Sequence, residues 1–217
     1  MNLKGLVLAG GMSSRMGTDK GFLPWTRLDQ SNTSACSVTK TMFEWCAIDM
    51  AHFCKDVYVS LRLAQLALHA DTLKQAGFET VDRATTRPHA DASNAELPGA
   101  KAHILLDDEA YGDIGPAVAL LTAFDSDPLA HWLVCACDFP FICAAAFAQL
   151  VQNFAEPLTC FKHPDGNPEP LLAIWSPTAL QRLKENVLQR KRTGPCFTLR
   201  ELLSLPSKSS ATPKCHA

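Results

Sequence analysis

A pair of glycines near the amino terminus could form an anion-binding loop. Gly10 and Gly11 follow an apolar run at residues 6–9, and the cations Arg15 and Lys20 come shortly after them. Adjacent glycines can take positive φ and turn backbone N–H groups inward, because no side chain obstructs them. The two cations would add attraction for phosphate. The segment therefore predicts a loop that binds a polyphosphate.

The spacing of this segment excludes two common nucleotide-binding loops. A Walker A loop needs Gly-Lys-Ser/Thr four residues after its first glycine, whereas Gly17 here is separated from Lys20 by two residues. The dinucleotide pattern G-x-G-x-x-G fails as well, because Gly10 and Gly11 are adjacent. A different class of nucleotide-binding loop is indicated.

A carboxylate follows a strongly apolar run later in the chain. Residues 131–136 predict a buried strand, and Asp138 comes just after it, followed by Phe139-Pro140. Ligands of open α/β sheets bind beyond the carboxyl ends of strands. One or two carboxylates together with substrate phosphates usually suffice to hold Mg²⁺. The position favours Asp138 as a magnesium ligand, and the alternative is that Asp138 caps the next turn or helix.

A second group of acids, Asp107-Asp108-Glu109, follows the predicted strand 103–106. Three acids at a strand end could bind a metal ion, and they could equally form a solvated turn. Gly115-Pro116 lies seven residues beyond Asp108 and would open the next helix, with proline in its first turn.

Residues 8–20 match the pattern L-A-G-G-x-S-x-R-M-G-x-D-K at every fixed position. The segment resembles the opening motif of the nucleotidyltransferases that act on activated cofactors and sugars. Within that superfamily the chain is most similar to the molybdenum cofactor guanylyltransferases. The resemblance implies transfer of GMP from GTP to the terminal phosphate of molybdopterin or molybdenum-molybdopterin. Pyrophosphate would be released and the guanine dinucleotide cofactor formed.

The resemblance also implies roles for individual residues. Arg15, Lys20 and Asp138 would be catalytic, and Asp138 would bind Mg²⁺ through the pattern C-D-x-P-[FY]-I. Ser60 stands where the family tends to have an asparagine, and Asp108 precedes the Gly-Pro pair by the family's interval. The GTP-binding residues that the resemblance implies are Leu8, Ala9, Gly10, Gly11, Lys20, Ser60, Asp108 and Asp138. The family's N-x-N-T-P-like closing segment has no counterpart after Leu202.

Alternating strand and helix patterns predict an α/β fold, a single three-layer Rossmann-like domain with a mostly parallel sheet covered by helices on both faces. Its residues would be 1–204, with surface insertions at 26–33 and 82–101 and a disordered tail at 205–217. The expected strands are 3–9, 56–60, 78–81, 103–106, 131–136, 158–161 and 171–175, and the expected helices are 34–53, 62–76, 116–124, 144–154 and 177–190.

Composition restricts the class of protein. The chain has 217 residues and a formal net charge of −2, so a single domain is expected and there is no basic surface for nucleic acid. No leader pattern and no long apolar run predict a cytoplasmic protein without a membrane anchor. The odd number of cysteines, nine, predicts reduced thiols. Beyond GTP and the pterin, the resemblance suggests molybdenum insertion proteins and molybdoenzyme chaperones as partners.

Two other functions remain open from the sequence. A cytidylyltransferase, or a sugar- or polyol-phosphate nucleotidyltransferase, could share the opening fold, although cytidylyltransferases of this group tend to read L-A-A-G where Gly10-Gly11 stands here. An inactive, nucleotide-responsive interaction module would account for the missing closing segment. The presence of Arg15, Lys20 and Asp138 together argues against that module.

Overall fold

The computed structural model describes residues 1–11, 18–28, 37–80, 97, 99–189 and 195. Within these ranges the strands are Leu3–Leu8 (β1), Pro24–Leu28 (β2), Ser37–Thr41 (β3), Asp56–Leu61 (β4), Glu79–Thr80 (β5), Lys101–Leu106 (β6), His131–Ala136 (β7), Leu158–Lys162 (β8) and Pro168–Trp175 (β9). The α-helices are Met42–Ala51 (α1), Leu63–Gln75 (α2), Ala117–Ser126 (α3), Ala144–Gln152 (α4) and Pro177–Leu188 (α5).

Seven of these strands form one sheet in the order β5-β6-β4-β1-β7-β9-β8. The first five pair in parallel, and β9 and β8 are added antiparallel at one edge. β1 is central, with β4 on one side and β7 on the other. The expected mostly parallel sheet is confirmed.

Helices cover both faces of the sheet, because residues on the central strands alternate between two cores. On one face Val7 of β1 packs in a core with Phe43 of α1 and Phe147 of α4. On the other face Leu6 belongs to a core with residues of α3 and α5, including Leu183. This alternation, with both faces apolar, is the signature of a buried sheet. The predicted three-layer arrangement is therefore confirmed.

The prediction of a helix over residues 34–53 is wrong in part. Residues 26–28, predicted to lie in an insertion, belong to β2, which pairs antiparallel with β3. The helix predicted from Ser34 begins only at Met42. Its start is fixed by a capping box in which Glu44 accepts the backbone N–H of Thr41 at 2.7 Å. The β-branched residues before Thr41 favour the extended chain that precedes it.

All other predicted elements are present, with bounds that shift by up to three residues. The predicted insertion 82–101 differs at its carboxyl end, because Leu97 is buried in the core and Lys101 begins β6. Its residues 82–96, the insertion residues 29–33 and the tail 205–217 lie outside the described residues. No helix in the described part of the chain combines the length and apolar character that a membrane crossing requires.

Arg27 fastens the two-stranded β2–β3 sheet to the domain. Its guanidinium donates to Asp49 Oδ2 at 2.7 Å and to the Ile142 carbonyl at 2.9 Å, and it lies over the Trp45 ring at 4.7 Å. Burial raises the pKa of the Asp49 carboxyl, and the Arg27 guanidinium opposes that rise. Arg27 thus compensates the charge of the Asp49 carboxylate, which is buried on folding.

We expect Arg27→Ala to lower the free energy of unfolding at pH 7 by about 3 kcal/mol, because it leaves Asp49 buried and unpaired. A buried carboxyl with a raised pKa favours the folded state below its unfolded pKa and loses that contribution as pH rises through the folded pKa. The deficit should therefore narrow as urea unfolding is repeated toward pH 4. The control Arg182→Ala, which breaks an exposed pair with Glu185 at 3.3 Å, should cost at most about 0.5 kcal/mol. A deficit that does not change with pH would contradict this account.

Candidate active site

The carboxyl ends of the parallel strands surround a cavity of about 640 Å³. The pairing register sets Leu8 of β1 level with Ser60 of β4 and with Ala136 of β7, so these strands end at the same height. Seven of the nine residues predicted for the site line the cavity: Leu8, Gly10, Gly11, Lys20, Ser60, Asp108 and Asp138. Ala9 is buried beside it. Arg15 lies outside the described residues.

Backbone hydrogen bonds continue past the strand ends and fix the loops that follow. The Ala9 N–H donates to the Ser60 carbonyl at 3.1 Å, and the Cys137 N–H donates to the Leu8 carbonyl at 3.2 Å. The Asp107 N–H donates to the Leu61 carbonyl at 2.9 Å. The first residues beyond β1, β6 and β7 are therefore held by the sheet itself.

Gly10 lies where a side chain would have little space. The expectation that Gly10 and Gly11 take positive φ is wrong. Neither Gly10 nor Gly11 adopts the left-handed backbone that favours glycine. A Cβ at Gly10 would lie 3.0 Å from Asp107 Oδ2, which is tighter than about nine in ten real Cβ contacts. A Cβ at Gly11 would meet no described atom within 4 Å. The first glycine thus permits the close approach of a carboxylate.

The two neighbouring acids after β6 have different surroundings. Asp107 Oδ1 accepts a hydrogen bond from the buried Ser60 hydroxyl at 2.5 Å. Asp108 Oδ1 instead accepts from the Ala110 N–H at 3.0 Å and so caps the short 3₁₀ turn Glu109–Tyr111. Both line the cavity, but sequence spacing pointed only to Asp108. The position directly after a buried strand was the signal that could have identified Asp107.

Lys20 and Asp138 meet across the cavity from the ends of different elements. Lys20 Nζ lies 3.7 Å from Asp138 Oδ2, and the side chains are 45% and 51% exposed. A pair this exposed is weak and can exchange its partners for a ligand. Lys20 begins the 3₁₀ turn Lys20–Phe22, which packs closely because a Cβ at Gly21 would lie 3.0 Å from Ala9 Cβ.

Arg62 is a second cation in the cavity, and the sequence reasoning missed it. It follows β4 directly, and its Nη2 lies 3.8 Å from Oδ1 of the highly exposed Asp113. Its backbone N–H donates to Gln65 Oε1 at 3.1 Å, and Gln65 Nε2 donates to the Ala9 carbonyl at 3.2 Å. Gln65 therefore links the start of α2 to the glycine loop. The signal in the sequence that could have identified Arg62 was a cation two residues after Ser60.

The described lining of the cavity has more acids than cations, which affects how it could bind phosphate. Its described lining carries two cations, Lys20 and Arg62, and five acids, Asp107, Asp108, Glu109, Asp113 and Asp138. Among the described residues, no group of three or more His, Cys, Asp or Glu side chains could hold a metal ion alone. Asp138 offers one carboxylate, and such a donor suits Mg²⁺ when phosphate oxygens complete the coordination. The donor set fits a metal that binds together with its nucleotide.

The cysteines near the site are structural. Cys135 and Cys137 are buried, and burial raises the pKa of the Cys137 thiol to about 12. A thiol in such surroundings is neither a nucleophile nor a metal ligand at neutral pH. The six cysteines in the described part of the chain are free.

Comparisons with known proteins were consistent with this geometry. A family model described as MobA-like NTP transferase domain matches residues 5–204. A molybdenum cofactor biosynthesis bifunctional protein of Synechocystis is 28% identical over 182 residues, which cover 82% of this chain. The aligned part is 40% of that relative, so this chain spans well under half the relative's length.

Solved structures share the fold at low sequence identity. The molybdopterin-guanine dinucleotide biosynthesis protein A of Archaeoglobus fulgidus superimposes with a TM-score of 0.58 at 19% identity, covering 92% of this chain and 80% of its own. The CTP:phosphocholine cytidylyltransferase of Streptococcus pneumoniae gives a TM-score of 0.53 at 9% identity, with coverage of 100% and 91%. Both likenesses support the Rossmann-like architecture.

The close approach at Gly10 leads to a stability prediction. Gly10→Ala should displace the Asp107 carboxylate from Ser60 and lower the free energy of unfolding by about 1–3 kcal/mol. Gly11→Ala is the matched control, and it should cost less than about 0.5 kcal/mol because no described atom lies within 4 Å of its Cβ. Chemical denaturation of both variants measures the difference. Equal losses would show that the contact with Asp107 does not constrain residue 10.

Proposed function

This chain belongs to the MobA-like NTP transferase domain family, and from that premise we propose that it transfers GMP from GTP to the terminal phosphate of molybdopterin or molybdenum-molybdopterin. The products are pyrophosphate and the guanine dinucleotide cofactor. One observation carries the proposal: the Gly10-Gly11 loop, Lys20 and Asp138 line the same cavity at the carboxyl edge of the sheet. The names of the Synechocystis and Archaeoglobus fulgidus relatives support the choice of acceptor.

The reaction needs positioning and charge neutralisation more than a protein nucleophile. An oxygen of the acceptor phosphate forms a bond to the α-phosphorus of GTP. The bond from that phosphorus to the bridging oxygen breaks in line, and its electron pair leaves with pyrophosphate. No covalent enzyme intermediate is required, in keeping with the neutral thiols around the site.

Cationic residues stabilise the charge that develops on the leaving group. The Lys20 ammonium is exposed to the cavity and can exchange Asp138 for phosphate oxygens. Arg15 is proposed to act beside it, on the basis of the matched motif. Asp138 would hold Mg²⁺, which when bound neutralises part of the triphosphate charge in a cavity that has more acids than cations.

The lining of the cavity also offers acceptor groups that favour guanine. The carboxylates of Asp107 and Asp108 can accept hydrogen bonds, and the Watson–Crick edge of guanine presents two adjacent donors, N1–H and the 2-amino group. The corresponding edge of cytosine presents only its 4-amino donor. A cytidylyltransferase is the second candidate, because the phosphocholine enzyme of Streptococcus pneumoniae shares the fold.

Removing either charge of the central pair should abolish transfer. We expect Lys20→Ala and Asp138→Ala each to lower kcat/KM for GMP transfer by at least about 100-fold, since each removes stabilisation of the transition state. Pyrophosphate release that depends on molybdopterin measures the reaction. Lys55→Ala, which changes an exposed lysine at the opposite edge of the sheet, is the control and should retain activity. Normal activity in both active-site variants would refute the mechanism, and absence of pyrophosphate release from the wild type would favour an inactive binding module.

Nucleotide preference can be measured without the pterin. A ligand that binds the native state raises the melting temperature by mass action. With Mg²⁺ present, we expect GTP to give the largest thermal shift among GTP, CTP, ATP and UTP at equal concentrations. A larger shift with CTP would overturn the guanylyltransferase assignment and favour the cytidylyltransferase.

A further inference from the structure

We propose that Asp19 and His69 form a positioning pair that fixes Lys20 in the site. The proposal rests on the proposed function, since it assigns a support to a residue of that reaction. His69 Nε2–H donates to Asp19 Oδ2 at 2.8 Å, and the two side chains are 18% and 12% exposed. The pair is therefore much more secluded than Lys20, which follows Asp19 directly. Neither member lines the cavity.

The Asp19 side chain hydrogen-bonds to His69 instead of capping the turn that follows it. It occupies the N-cap of the Lys20–Phe22 turn, where an aspartate side chain commonly accepts a backbone N–H of the turn. No such side-chain bond forms here, because the carboxylate reaches across to α2, fifty positions along the chain. The contact thus ties the start of the turn to a helix on the face of the sheet.

His69 also holds the turn on the other side of Lys20. Its ring stacks on Phe22 with the centroids 3.6 Å apart and the planes 8° from parallel. Phe22 in turn contacts the buried Phe43 at 5.0 Å between centroids. At His69 the backbone of α2 leaves helical geometry, with φ −116° and ψ 16°. One histidine therefore fixes the residues at positions 19 and 22, on both sides of Lys20.

These contacts fix the backbone position of Lys20, from which its side chain extends. Gly21 packs closely on the sheet, since a Cβ there would lie 3.0 Å from Ala9 Cβ and 3.2 Å from Cys137 Sγ. On the two sides of Lys20, His69 contacts Asp19 through a hydrogen bond and Phe22 through ring stacking. Lys20 Nζ is thereby kept near Asp138 although its own side chain is half exposed. A small misplacement of such a group is costly to catalysis.

A double-mutant cycle tests whether His69 acts through Lys20. In the wild-type background we expect His69→Ala to lower kcat/KM for GMP transfer about tenfold and GTP affinity, measured by titration calorimetry with Mg²⁺, by a similar factor. In the Lys20→Ala background the same change should alter GTP affinity, measured by titration calorimetry with Mg²⁺, by less than about twofold. A tenfold loss of affinity in both backgrounds would show that His69 acts independently of Lys20 and would overturn the proposal.

Conservative replacement of Asp19 separates the hydrogen bond from mere packing. Asp19→Asn keeps an oxygen that can accept from His69 and should recover activity to within about threefold of the wild type, whereas Asp19→Ala should lose about tenfold. Equal activity of the two variants would contradict a role for the hydrogen bond.

A second histidine provides a matched control. His103 donates to Asp56 at 2.9 Å and stacks on Tyr58 at 4.7 Å, but the pair lies at the amino edge of the sheet. His103→Ala should lower the melting temperature without changing kcat/KM. If Lys20→Ala abolishes transfer while His69→Ala has wild-type kinetics, the positioning role fails and the proposed function stands. If Lys20→Ala retains full activity, the proposed function itself fails.

Discussion

The parallel pairing of β1 with both β4 and β7 is the constraint on which the site depends. Leu8 is in register with Ser60 on one side and with Ala136 on the other, so the three strands stop at one level. Backbone hydrogen bonds then fix the next residue of each chain segment, Ala9 after β1, Asp107 after β6 and Cys137 after β7. Because each face of the sheet packs its own core, a one-residue shift in this register would move the side chains of each core to the opposite face, and it is strongly disfavoured. The positions of the active-site loops are thus set by the core.

The electrostatics of the cavity suits the polyphosphate that is proposed as its ligand. Lys20 and Arg62 each lie close to an exposed acid, at 3.7 and 3.8 Å, and exposed pairs of this length are worth little. Phosphate oxygens can therefore replace the acids at small cost. The acids outnumber the cations among the described lining residues, so a nucleotide that brings a divalent cation suits the cavity better than free triphosphate.

Residues whose structure depends on neighbours in the chain were predictable from the sequence, and residues that depend on distant partners were not. The buried strands and amphipathic helices show in the local apolar pattern, which is why residues 131–136 were predicted at their observed bounds. β2 and β3 were missed because they pair with each other, and the segment between them has no apolar periodicity in its sequence. Asp107 was passed over since its contact with Ser60 spans 47 positions. The Asp19–His69 bond spans 50 and leaves no local trace.

The opening motif contains residues that face the cavity and residues that contact other parts of the structure. Gly11 and Lys20 face the cavity, where the proposed triphosphate would lie. Gly10 also lines the cavity, but its lack of a side chain is required by the Asp107 carboxylate behind it, and Asp19 is turned away toward α2. An acid next to a catalytic lysine would ordinarily be assigned to metal or substrate, yet here its carboxylate is engaged by a histidine. A charged residue in a nucleotide-binding motif can therefore act on the ligand indirectly, through the conformation of the residue beside it.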